Sequence, residues 1–170
     1  SAASNSAVPA KVTIAKISAS PSRKVTLSWK KTTRATGYRI YYKQYGARSW
    51  KYISSTTGTS YTHISTSKCP LTGGKKYTYV VRGYNKYSRK QGPYDKKGRT
   101  ITVPLRVSQI KLNRTSLAFN KKGSSYHLSA SVLPRNATNR SIIWKSSNPK
   151  AATVNGSGKV TAVSNGTTVI

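Results

Sequence analysis

Acidic residues are almost absent from this chain: of its 170 residues one, Asp95, carries a carboxylate side chain, against 31 Lys and Arg. General acid–base catalysis, retaining or inverting glycoside hydrolysis and most hydrolytic metal sites draw on carboxylates, usually in pairs. Those classes are therefore excluded. Histidine is nearly as scarce. His63 and His127 each sit inside a strand-like run, and their spacing to Cys69 matches no metal motif. Each is read as a partly exposed strand residue. Ser is abundant, yet there is no Gly-x-Ser-x-Gly elbow and no acid placed to orient a His. Gly73-Gly74 has no helix after it and is read as a tight turn, not a phosphate cradle. The chain is thus expected to be no enzyme and to hold no cofactor or metal.

Cysteine occurs once, so no disulfide closes within the chain. An odd Cys in a secreted protein can pair between molecules. Beside Pro70, however, Cys69 reads as a small, half-buried, inert apolar residue. No apolar run approaches 18 residues, so no membrane insertion by a helix is expected. No helix-period pattern is present either. Methionine is missing. The opening SAASNSAVPA is small and polar, as in a mature N-terminus left after signal-peptide removal or a linker from a longer protein.

What is present in excess is positive charge, +30 in formal terms. Residues 1–104 carry 21 of the basic side chains and residues 105–170 the other 10. An even spread points to a general adaptation or a polyanionic environment more than to one docking site.

The stretch Lys24–Lys43 organises the first half. Val25, Leu27 and Trp29 alternate with Thr26, Ser28 and Lys30; after a polar turn, Tyr38, Ile40 and Tyr42 alternate with Arg39, Tyr41 and Lys43. Period two in both runs implies strands with one buried and one wet face. Downstream, Tyr77, Tyr79, Val81 and Gly83 share a face, with Leu71 six residues ahead of Tyr77. A Tyr at a strand start, with a turn just before it, fits a tyrosine corner. On these residues the segment from about Pro9 to Val103 resembles a fibronectin type III domain. Trp29 stands at that family's core Trp and Leu71 and Tyr77 at its corner pair, while Gly83 replaces the more usual Ala.

A second pattern follows Pro104-Leu105 at once. LNRTSLAF, LPRNATN and IIWKSSNPKAATVNGSGKVTAVSNGT form short alternating runs separated by turn residues. In order and spacing they resemble the bacterial Ig-like domain of group 2, found in intimin- and invasin-like adhesins and in clostridial surface proteins. That family continues for another strand or so, which implies a C-terminally incomplete domain here. Five Asn-x-Ser/Thr sequons, at Asn113, Asn136, Asn139, Asn155 and Asn165, are read chiefly as turn residues of this family. The expectation is an all-β chain of two tandem Greek-key β-sandwiches: a flexible N-terminal arm (1–8), a fibronectin type III-like domain (9–104) and an Ig-like domain (105–170) lacking its last strand or strands.

Binding remains as the route to function. The loop Asn85–Arg99 sets Lys86, Arg89, Lys90, Lys96, Lys97 and Arg99 around Tyr87 and Tyr94. Cations supply long-range attraction and aromatic faces supply stacking or sugar contacts. In fibronectin type III domains the equivalent loop often carries ligand contacts, which the resemblance extends to these eight residues. The leading expectation is a non-catalytic structural or adhesion module of a bacterial surface or secreted protein, outside the cell, partnered by anionic cell-wall polymer or glycan. Two alternatives stand beside it. One is a fibre subunit completed by a strand from another copy of the chain, donated by Val8–Ile14. The other is a non-specific binder of nucleic acid or other polyanions, with the strong salt dependence that bare charge brings.

Overall fold

The computed structural model describes residues 7–170; most of the expected N-terminal arm lies outside the described residues. The chain divides into two compact units, residues 1–105 and 106–170.

The first unit is built from β1 (Ile14–Ser20), β2 (Lys24–Trp29), β3 (Gly37–Gln44), β4 (Lys51–Thr56), β5 (Ser60–Ile64), β6 (Lys76–Asn85), β7 (Lys90–Gln91) and β8 (Arg99–Thr102). One sheet runs β1-β2-β5; the other runs β4-β3-β6-β7, with β8 also paired to β6. All these strand pairings are antiparallel. Alternation in β2 turns Val25, Leu27 and Trp29 inward, and alternation in β3 turns Tyr38, Ile40 and Tyr42 toward them. Together with Leu71, Tyr77, Tyr79, Val81 and Val103 they form one core between the sheets. Each fully buried large side chain here stabilises the fold by roughly 1.5–3 kcal/mol.

The corner at Leu71–Tyr77 forms. Tyr77 Oη accepts the Thr72 N–H at 2.9 Å, and Leu71 is buried. Gly83 has a local reason: a Cβ there would come within 2.8 Å of Pro9 Cβ and 3.3 Å of Ala35 Cβ. Pro9, Val12 and Ile14 are buried in this unit, and the Ala10 N–H bonds Thr33 O at 3.1 Å. The segment Val8–Ile14, considered above as a donated strand, is thus already engaged in its own unit.

Three expectations need correction. His63 is not partly exposed but buried, because alternation in β5 points it into the core. Cys69 is buried rather than half-buried, its Sγ 3.7 Å from Tyr52 O. The stretch Asn85–Arg99 is not one loop: β7 pairs with the end of β6, and the turn after it folds back over β6. That return covers Thr78 and Val80, so β6 is buried on both faces over that length.

The second unit contains β9 (Gln109–Leu112), β10 (Ser125–His127), β11 (Ala130–Leu133), β12 (Ala152–Val154) and β13 (Lys159–Ala162). They form a β10-β13-β12 sheet and a β11-β9 pair, all antiparallel. Its core is small: Leu128, Ala152 and Val160, with Leu117, Phe119, Trp144 and Ile170 packed around them. Ile110 and Leu112 of β9 face solvent. Three of the sequon asparagines, Asn113, Asn139 and Asn155, act within turns and crossings. Asn155 Oδ1 accepts the backbone N–H groups of Ser157 and Lys159, and Asn113 Oδ1 accepts that of Ser129.

Candidate polyanion-binding site

The structure distributes the eight residues singled out in the sequence over several places. Lys86, Tyr87, Arg89 and Lys90 surround the tip of the β6–β7 hairpin. Buried Asn85 holds that tip: its Oδ1 accepts the N–H groups of Tyr87 (3.0 Å) and Ser88 (3.1 Å), and its Nδ2 donates to Arg34 O at 2.7 Å. Arg89 takes a left-handed conformation to close the turn (φ 55°). Tyr87 is 63% exposed, with Lys86 Nζ 5.0 Å from its ring centre. Lys96 and Lys97 are exposed on the following turn, where the Lys97 N–H donates to Asp95 Oδ1 at 3.2 Å. The chain's one acidic side chain thus serves a turn. Arg99 opens β8 and lies beside Lys16, Ile17 and Thr26 of the other sheet.

Tyr94 goes elsewhere, onto the outer face of β3 and β6. Its ring meets Trp50 nearly at right angles, with centroids 6.1 Å apart, and Arg82 Cζ lies 5.4 Å from its centre. The alternation that buries Tyr38, Ile40 and Tyr42 presents Arg39, Tyr41 and Lys43 on this face, and β6 adds Arg82 and Tyr84. Arg39 Cζ sits 4.3 Å over the Tyr84 ring, and Lys43 Nζ sits 4.8 Å over Trp50. Tyr41 packs edge-on against Tyr52, centroids 5.6 Å apart, and donates its hydroxyl to Gln91 Oε1 at 3.1 Å. Arg82 Nε donates to Gly92 O at 2.9 Å. Arg39 and Arg82 are direct partners in the β3–β6 register.

Among the described residues six cations lie over aromatic rings. In a chain with a single acidic side chain, ring faces take the place that carboxylates would otherwise fill. Sequence reasoning missed Arg39, Trp50 and Arg82. The outward period of β3 was a usable signal for Arg39, but the pairing that sets Arg82 opposite it was not.

A second polar cluster lies inside the core. Tyr79 Oη is 2.8 Å from His63 Nδ1, and His63 Nε2 is 3.0 Å from Cys69 O. Since a carbonyl only accepts, Nε2 carries the proton and Nδ1 accepts from the tyrosine hydroxyl. Burial lowers the His63 pKa, opposed in part by the bond to Cys69 O. Burial, then Cys69, pushes Tyr42 up to about 12, and burial raises Tyr79 further. His63 and Tyr79 are closed off from solvent, so this cluster orders the core. No group of three or more His, Cys, Asp or Glu among the described residues could hold a metal ion. None of their helices is long and apolar enough to cross a membrane. The second unit has a groove of about 540 Å³ lined by Leu117, Phe119, Leu128, Val160 and Ile170 among others.

Solved structures similar to this chain include the fibronectin type III domain of human fibronectin type III domain containing protein 3 (15% identity, 61% of this chain and 94% of that one, TM-score 0.46). Others are the FN5 domain of Drosophila Lar (17%, 56% and 97%, TM-score 0.42) and an Fn3-like protein from Clostridium thermocellum (21%, 55% and 100%, TM-score 0.38). A 50-residue segment is 48% identical to a kappa-carrageenase of Pseudoalteromonas carrageenovora, covering 29% of this chain. The match spans 13% of the length of that curated relative. Residues 106–170, the whole of the second unit, match the family model of the bacterial Ig-like domain (group 2).

Proposed function

We propose that the chain is a non-catalytic, extracellular module pair of a bacterial surface or secreted protein, which holds anionic polymers through its charge. In this reading residues 9–104 are a fibronectin type III-like sandwich. Its support is the β1-β2-β5 and β4-β3-β6-β8 pairing together with the Tyr77 corner. Residues 105–170 are the Ig-like module. The observation that carries the function is the charge itself, 31 basic side chains to one acidic, with cations resting on aromatic rings. Such a surface attracts polyanions at long range and leaves its cations without internal counter-charges. The hairpin residues Lys86, Tyr87, Arg89 and Lys90, the turn residues Lys96 and Lys97, Tyr94 on the outer face of β3 and β6, and Arg99 at the start of β8 are the proposed contacts. The test is a salt titration of binding to teichoic acid, an acidic glycan, a neutral glycan and double-stranded DNA. Binding to the first two that weakens steeply with salt, and none to the neutral glycan, is expected. Tight DNA binding in about 0.3 M salt with a sequence preference would overturn it, because charge alone gives only non-specific, salt-sensitive association.

A further inference from the structure

Arg39 and Arg82 stand directly opposite each other across the β3–β6 ladder, on the outer face of the sheet. Side chains so paired have Cβ atoms about 4.5–5.5 Å apart, and like charges in that position repel. Their neighbours do not relieve the repulsion: Ser55 is the β4 partner of Arg39, and Gln91 of β7 pairs with the adjacent Tyr84. Asp95, the one acidic side chain, is used in its own turn. Each guanidinium is instead propped on a ring, Arg39 on Tyr84 and Arg82 on Tyr94, and Arg82 is further anchored through Nε to Gly92 O. A guanidinium lying over a ring keeps its in-plane N–H donors outward, in a fork that matches a tetrahedral oxyanion.

We propose that the Arg39–Arg82 pair is a clamp for a sulfate ester of an extracellular polysaccharide. The inference rests on the polyanion reading above and gives it a chemical address. One sulfate group, with a single negative charge and three terminal oxygens, spans both forks and neutralises the cross-strand repulsion. Lys43, held over Trp50, supplies a third cation on the same face. The carrier is a sugar chain because the sheet face that bears the clamp also presents an amphipathic ring, Tyr52, 49% exposed and packed on Tyr41. Rings of this kind offer apolar faces to the C–H surfaces of a pyranose. A bare phosphate chain has nothing to place there.

The experiment compares dextran sulfate, neutral dextran and polyphosphate on the wild-type chain, R39K/R82K and a control, R23K/R106K, whose arginines belong to the β1–β2 turn of the other sheet and to the second unit. Lysine keeps the charge and loses the fork. Dextran sulfate affinity is expected to fall by about tenfold or more in R39K/R82K alone, with the salt slope unchanged because the number of cations is unchanged. Thermal melts accompany each variant. R39K by itself leaves the Arg82 to Gly92 bond in place and carries the same test if the double variant melts lower. Equal affinity of R39K, R39K/R82K and wild type would overturn the clamp and leave the polyanion reading standing. Absence of wild-type binding to any polyanion would overturn that reading. Polyphosphate binding as tight and as dependent on the two arginines would overturn the assignment to a sulfated sugar.

Discussion

The Tyr79 hydroxyl donates to His63 Nδ1 at 2.8 Å, deep in the core of the first unit. The bond ties β6 of one sheet to β5 of the other, and it requires a neutral imidazole. Because burial lowers the folded-state pKa of His63, the unfolded chain takes up a proton first as pH falls. The associated stability is complete above the unfolded value of about 6.5 and is lost as pH falls toward the folded value. Melting temperature is therefore expected to decline between pH 7 and pH 5. With one acidic side chain in the chain, little further carboxylate-driven loss is expected toward pH 3. His63→Gln should flatten the profile. A drop of more than about 10 °C between pH 7 and pH 3 in a variant with both histidines replaced by Gln would contradict the argument, since the usual cause of acid unfolding, paired carboxylates, is missing.

Salt should raise the melting temperature. A net charge of +30 repels itself in the compact state, and screening shortens that repulsion to about 8–10 Å near physiological ionic strength. Melts in 10 mM and 300 mM NaCl test this, and dextran sulfate is expected to exceed NaCl in effect. A flat or falling series would place the charges too far apart to matter.

Tyr77→Phe removes the hydroxyl that accepts the Thr72 N–H and keeps the ring in the core. Losing one part-buried hydrogen bond costs about 1–2 kcal/mol, read as a shifted urea midpoint with an unchanged slope. A neutral result would mean that water satisfies the amide as well as the corner does.

Gly98→Ala acts on the turn beneath the hairpin. Gly98 has φ +62°, and a Cβ there would come within 2.5 Å of Tyr79 O. A left-handed alanine pressed against a backbone carbonyl is expected to cost about 2–3 kcal/mol in chemical denaturation. Loss of polyanion affinity should accompany it, because this turn covers β6 and positions Tyr94. Full affinity in a destabilised variant would show that the outer face is organised without the turn.

Cys69 is buried beneath the Tyr52 carbonyl and bounded by Thr66 and Leu71. Reaction with Ellman's reagent is expected to be slow in the folded protein and immediate in 6 M guanidinium chloride. Rapid labelling under native conditions would instead place the thiol on an open surface.

Much of this architecture was legible in the chain alone. Period-two alternation in Val25–Trp29 and Tyr38–Tyr42 specified which face of each strand is buried, since a side chain in a strand has only two directions to choose from. The Leu71–Tyr77 spacing specified the corner, a local fact. What only the tertiary structure decided depends on pairing between distant segments. The β3–β6 register sets Arg39 against Arg82, forty-three positions apart in number, and the return of the chain after β7 carries Tyr94 onto Trp50. His63 reads as an ordinary strand residue until β5 is laid against β2 and the hydroxyl of Tyr79 arrives from the opposite sheet. Alternation names a face; it does not say which side chains of another strand will share it, because register is settled by the packing of both sheets at once.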